Sequence, residues 1–173
     1  MRHIYLTLIL AIIAGCAQPH KAEYDTSLIR SWQERQAVTE DMTEVVVSDN
    51  SEHHMRHVVR VVLNANRPVR WLHDDDGDYW RTMQQTVAND YKGDCEDISI
   101  YWYILLRRTG AIADSSLSLR IVHLPGYPEK ELHTVCIIRT DGATLVIDNG
   151  ILCNDGPRFS EIILECDLFS IFS

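Results

Sequence analysis

Positive charge is scarce in this sequence: 16 lysines and arginines stand against 25 aspartates and glutamates, a formal net charge of -9 with pI near 5.3. Phosphate binding needs a basic surface, so the balance excludes nucleic acid as a partner. Long apolar runs are missing too, since the run from Ile4 to Ile13 is too short to span a bilayer as a finished helix. Internal repeats and low-complexity tracts are absent, which excludes a repeat array. The acidic stretch Asp74-Asp75-Asp76-Gly77-Asp78 lacks the calcium-loop pattern: counted from Asp74, Gly77 stands at position 4 rather than 6, and Gln85 replaces the glutamate of position 12. What remains, at 173 residues with 46% hydrophobic and 24% charged content, is one compact domain.

The N-terminus reads apart from that domain. Arg2 and His3 precede the apolar run, which suits a signal segment and ends Ile13-Ala14-Gly15-Cys16. That ending resembles a bacterial lipobox, in which small residues precede a cysteine that is lipidated and becomes the mature N-terminus. Residues 1–15 are then a signal peptide, 16–25 a tether and 26–173 the domain. Acyl chains on Cys16 would anchor it stably, each buried CH₂ adding roughly 0.8 kcal/mol. Ala17 follows the cysteine rather than aspartate, so the expected location is the periplasm, lipid-anchored at the outer membrane. In an oxidising compartment Cys95, Cys136, Cys153 and Cys166 can form disulfides. Cys153 and Cys166 are a candidate pair, and Cys136 reads as a small buried hydrophobe.

The elements run helices first, then strands. Leu28 and Trp32 mark a helical pattern after Thr26, and Ser48-Asp49-Asn50-Ser51 carries cap chemistry. Met55, Val58, Val59, Val62 and Leu63 predict an amphipathic helix over 52–66, ended near Pro68. A short segment follows near Thr82 to Ala88. Ile98 to Leu106 is almost wholly apolar and predicts a helix buried on most sides, with Arg107, Arg108 and Gly110 closing it. Strands are expected over 117–124, 132–139 and 143–148, with Asp141-Gly142 as a hairpin turn, and over 162–172. The fold class is therefore α+β, with N-terminal helices and then an antiparallel sheet.

Gly93-Asp94-Cys95-Glu96-Asp97 opens the buried helix. Cys95 in a first helical turn sits at the positive end of the dipole, which favours a thiolate. His133 and Asp148 follow on adjacent strands. Pairing Arg139 with Thr144 puts His133 opposite Gly150 and Asp148 opposite Val135, on one face and roughly 7–8 Å apart at Cα, within reach of a hydrogen bond. A thiol, an imidazole and a carboxylate so ordered form a thiol-nucleophile triad. Asp94 and Asp97 read as a capping pair. Acids beside Cys95 oppose its ionisation, and a bound divalent cation would relieve this, calcium being the candidate outside the cytoplasm. The Cys95 N–H is one oxyanion donor, and Trp71, Tyr79 and Trp80 are candidates for the second.

Gly93-Asp94-Cys95-Glu96-Asp97, Asp78-Tyr79-Trp80, Leu132-His133 and Ile147-Asp148-Asn149 together resemble the bacterial transglutaminase-like cysteine proteinases, over roughly 52–150. The resemblance implies a papain-like, transglutaminase-like core with Cys95 as nucleophile, His133 as base and Asp148 as orienting acid. It also implies a calcium site that uses Asp94 and Glu96. A protein substrate is implied as well, for which a biofilm adhesin is the example within the family, together with an inner-membrane regulatory receptor as partner. The short, aromatic-poor chain after Asn149 and the lipobox depart from the family's pattern. The leading expectation is a calcium-dependent cysteine endopeptidase; the alternatives are a protein acyltransferase, which resolves the same thioester with an amine, and a non-catalytic peptide-binding lipoprotein.

Overall fold

The structure is a computed structural model that describes residues 27–36, 46–73, 79–124, 132–153, 161–166 and 168. The signal segment, the Cys16 lipidation site, the tether and the acidic stretch 74–78 lie outside the described residues, as does most of 167–173. Four α-helices are described: α1 (Ser27–Gln36), α2 (Glu52–Ala65), α3 (Met83–Ala88) and α4 (Cys95–Arg108). Two short strands, β1 (Arg70–Trp71) and β2 (Lys92–Gly93), pair in parallel. Five more, β3 (Leu117–His123), β4 (Leu132–Arg139), β5 (Thr144–Asp148), β6 (Ile151–Cys153) and β7 (Glu161–Cys166), form an antiparallel sheet in the order β6-β5-β4-β3-β7. None of the described helices is long and apolar enough to cross a membrane.

The sheet's apolar periodicity of two sets its core face. Leu119, Ile121, Cys136, Ile138, Leu145 and Ile147 point toward the helices, while Val135, Ile137 and Val146 pack together on the opposite face. Helix α4 packs chiefly on β4 and is buried on nearly every side, eleven of its fourteen residues being inaccessible. Its Ser99 hydroxyl is among them and donates to the Thr134 carbonyl of β4 at 2.8 Å. This bond gives a buried polar group a partner and locks the helix in register on the strand. Helix α2 starts where the cap chemistry indicates: the Ser51 hydroxyl accepts from the His54 N–H, and Met55, Val59 and Val62 are buried.

The β4–β5 hairpin has the expected register, Arg139 opposite Thr144, with the Thr140 N–H closing the turn on the Ala143 carbonyl. The final strand is shorter than predicted within the described residues, and it pairs with β3 at the sheet's far edge. That placement overturns the candidate disulfide. Cys153 lies on β6 and Cys166 on β7, with three strands between them; at about 4.8 Å per strand their backbones are some 19 Å apart, far beyond disulfide reach. Both are free thiols, as are Cys95 and Cys136.

Ile104 is fully buried at the centre of α4. Ile104→Ala is expected to cost about 2–5 kcal/mol, read as a lower urea midpoint with an unchanged slope.

Candidate active site

Three segments converge at the start of α4. The first is the Gly93-Asp94-Cys95-Glu96-Asp97 turn itself. Asp94 has the extended backbone of an N-cap, yet its side chain makes no capping hydrogen bond. Nor does Asp97 complete a capping box. Its carboxylate is fully buried and turned instead to the second segment, accepting from the Arg81 N–H at 2.7 Å and from the Arg81 guanidinium. Burial pushes the Asp97 carboxyl up to about 7, against the pull of these two bonds. Gly93 is needed here because a Cβ on it would stand 2.5 Å from Asp97 Cβ and Oδ2. Helix α1 secures the Arg81 segment from behind, where the Trp32 indole donates to the Arg81 carbonyl and the Arg35 guanidinium to the Trp80 carbonyl.

The third segment comes from the sheet. His133 Nε2 and Asp148 Oδ1 lie 2.7 Å apart, both side chains largely buried. The β4–β5 ladder stops at Cys136 opposite Ile147; beyond it Asn149 and Gly150 adopt left-handed backbone and the side-chain bridge continues the connection. Gly150 also sits against α4, since a Cβ on it would lie 2.9 Å from the Trp102 indole nitrogen. The turn that carries Asp148 is thereby seated on the helix that carries Cys95. With Nε2 committed to the carboxylate, Nδ1 is the imidazole nitrogen left for proton transfer.

The structure brings His133 and Asp148 together as the register predicts, and sets Cys95 against β4 at Thr134, the residue after His133. The Thr134 N–H is directed at the Cys95 sulfur. The thiol itself, however, is turned to Glu96 Oε2 at 3.2 Å, and no described hydrogen bond joins it to His133. Burial pushes the Cys95 thiol well above its usual range, and the Glu96 carboxylate adds to this; the Thr134 N–H works the other way. The expectation that the helix dipole favours a thiolate is therefore corrected for this state. A dipole end is outweighed by desolvation and an adjacent like charge.

Asp94 and Glu96 are both buried beside Cys95, a donor chemistry suited to a hard cation. Calcium takes six to eight oxygens, and two carboxylates offer at most four. Among the described residues, no cluster of three or more metal-binding side chains assembles, so these residues alone do not complete a calcium shell. Sequence reasoning passed over Arg81. Its contact with Asp97 spans 16 positions, and its only local signal is that it follows Asp78-Tyr79-Trp80. Of the three aromatic oxyanion candidates, Trp80 is buried while Trp71 and Tyr79 are exposed.

Residues 26–152 match the family model for bacterial transglutaminase-like cysteine proteinases. Among solved structures, the chain resembles calcium-bound LapG of Legionella pneumophila at 13% identity and a TM-score of 0.52, covering 80% of this chain and 83% of that one. At 13% identity this likeness speaks to the fold, which is the transglutaminase-like α+β arrangement. Two further Legionella pneumophila LapG structures, one EGTA-treated, match at TM-scores of 0.43 and 0.45 and 17% and 18% identity, over 73% and 75% of this chain and 62% of each of theirs. Curated proteins contain no match to the sequence.

Removing the Asp97 acceptor leaves the Arg81 N–H and guanidinium without it. Asp97→Ala is expected to lower stability by about 1–3 kcal/mol, measured by urea denaturation. The raised thiol predicts slow alkylation of Cys95 by iodoacetamide at pH 7 in chelator-treated protein, slower than free cysteine. The rate should still be climbing above pH 9, scored by mass spectrometry against a Cys95→Ser control.

Proposed function

The chain belongs to the bacterial transglutaminase-like cysteine proteinase family and is a cysteine peptidase, and on that premise we propose that it is a calcium-dependent endopeptidase whose triad is Cys95, His133 and Asp148. The observation that carries the assignment is the 2.7 Å His133–Asp148 bridge beside the helix start that bears Cys95. It orients an imidazole one residue along β4 from the Thr134 N–H that faces the Cys95 sulfur, and supports a base and its orienter rather than two isolated surface residues.

In this reading the Cys95 thiol leaves Glu96, gives its proton to His133 Nδ1 and attacks the scissile carbonyl. Asp148 holds the ring and stabilises the imidazolium that forms. The Cys95 N–H at the first turn of α4 faces the developing oxyanion. His133 then returns the proton to the leaving amine, and water resolves the thioester by the reverse transfer.

Asp94 and Glu96 would contribute carboxylate oxygens to a calcium ion. Bound there, the ion would offset the negative charge that opposes the thiolate. This part is supported by two buried carboxylates flanking the thiol and by a calcium-bound structural relative. The substrate is a cell-surface or periplasmic protein, with a large biofilm adhesin as the specific case, and an inner-membrane receptor regulates access to it. The chain acts in the periplasm, held at the outer membrane by lipid on Cys16.

Mass spectrometry of proteins released from the surface of cells carrying wild type or Cys95→Ala tests the activity. Fragments present with wild type and absent with Cys95→Ala are expected, and identical fragment sets would sink the peptidase assignment for Cys95. Isopeptide-linked products in place of fragments would point to acyl transfer instead. A chelator should abolish release; release that persists would discard the calcium requirement and leave the triad standing.

A further inference from the structure

The segment after α2 carries an apolar surface that is open to solvent. Trp71 is 63% exposed and Leu72 42% exposed. The indole is stacked on the His73 ring, with centroids 5.9 Å apart and planes within 10°. Single exposed apolar residues are ordinary and need no explanation. Position decides here.

Strand β1 pairs in parallel with β2, placing Trp71 opposite Gly93, two residues before Cys95. The Arg70 N–H donates to the Tyr91 carbonyl at 2.7 Å and the Leu72 N–H to the Gly93 carbonyl at 2.8 Å. Successive amides of an extended chain face opposite edges, so the Trp71 N–H and carbonyl face away from β2. The two-stranded sheet ends there, with no further described strand on that side. Among the described residues that donor and acceptor have no partner, and a main-chain donor and acceptor so placed beside exposed apolar side chains have the geometry of strand addition.

We propose that this outer edge of β1, formed by Trp71, Leu72 and His73, is a substrate subsite that takes an extended apolar segment of the protein substrate. The segment pairs main chain to main chain at Trp71 and lays one apolar side chain on the indole–imidazole stack. The proposal rests on Cys95 being the nucleophile. A peptide cleaved at Cys95 must continue past it on both sides. A strand added to β1 would run about 10 Å from β2, two strand spacings, which an extended chain covers in about three residues. The substrate residues that reach the edge are thus about three from the scissile bond.

A positional-scanning library of acetylated decapeptides, digested by wild type and by Trp71→Ala and read by mass spectrometry, tests this. Wild type is expected to require an apolar residue at one position about three from the cut. Trp71→Ala should lose that preference, with KM raised about tenfold (a loss of about 1.4 kcal/mol), its fold verified by circular dichroism. N-methylation of the peptide amide that pairs with Trp71 should weaken the best wild-type substrate similarly. An unchanged preference and KM in Trp71→Ala would overturn the subsite while Cys95-dependent cleavage continued. A wild-type dimer that Trp71→Ala converts to monomer in sedimentation would assign the edge to a second copy and also overturn it. Failure of Cys95 to react with a peptidyl vinyl sulfone in both proteins would remove the nucleophile assignment, and the subsite with it.

Discussion

A helix that is apolar over most of its length must be buried nearly all round, and α4 buries acids at the end where the chain enters it, as it buries Arg107 against Asp114 at the other. Glu96 and Asp97 are buried in that first turn along with Asp94 just before it. Uncompensated carboxylates in such a place are costly, so the surroundings must answer them. The answers are specific: Arg81 on Asp97, and the Cys95 thiol on Glu96. Cys95 therefore stands in an electrostatic environment dictated by packing. A helix that buried only one stripe would leave these acids in water, where they would cost little and shape nothing.

The same packing explains why the thiol is held back. Desolvation and the Glu96 charge act together on Cys95, and the dipole of one helix is too weak to reverse them, being worth at most about 2 kcal/mol in favourable partly buried geometries. The imidazole side of the site is differently made. His133 and Asp148 come from neighbouring strands and are joined where the ladder ends, so their geometry follows from sheet register, with the turn after Asp148 seated on α4 through Gly150. The His133–Asp148 pair is already formed, while the Cys95 thiol is turned to Glu96.

Legibility divides along the same line. The hairpin register followed from one turn, Asp141-Gly142, and from alternation in the flanking strands, because neighbouring strands are a local relation; His133 and Asp148 came with it. The α2 boundaries followed from Ser51 and the Met55, Val59, Val62 period. Asp97 was misread because an acid three residues after Asp94 satisfies the local capping pattern, whereas Arg81 reaches it only through tertiary packing. Cys153 and Cys166 looked pairable because they are 13 positions apart; nothing local tells that β7 crosses to the other edge beside β3. The Cys95 thiol was expected to be lowered by the dipole because burial, the larger effect, is a property of the assembled core.

Strain at the entrance to β2 also governs how Cys95 is held. Asp90 and Tyr91 are consecutive non-glycine residues with positive φ, a conformation that costs of order 1–3 kcal/mol each and persists only where neighbours enforce it. The neighbours are present. Arg67 and Arg70 both reach the Asp90 carboxylate, at 3.0 and 2.6 Å, and the Arg67 guanidinium lies 4.6 Å over the Tyr91 ring. Tyr91 packs edge-on to Tyr101 of α4, whose hydroxyl donates to the Arg67 carbonyl. These contacts tie the end of α2, the strained turn and the middle of α4 into one unit. Exposed ion pairs alone contribute too little to hold two such residues, so the buried Tyr101 ring must supply much of the restraint. The chain then has only Lys92, Gly93 and Asp94 in which to travel from that restrained turn to Cys95. With Asp97 clamped to Arg81 on the far side, the Cys95 backbone is held from both directions.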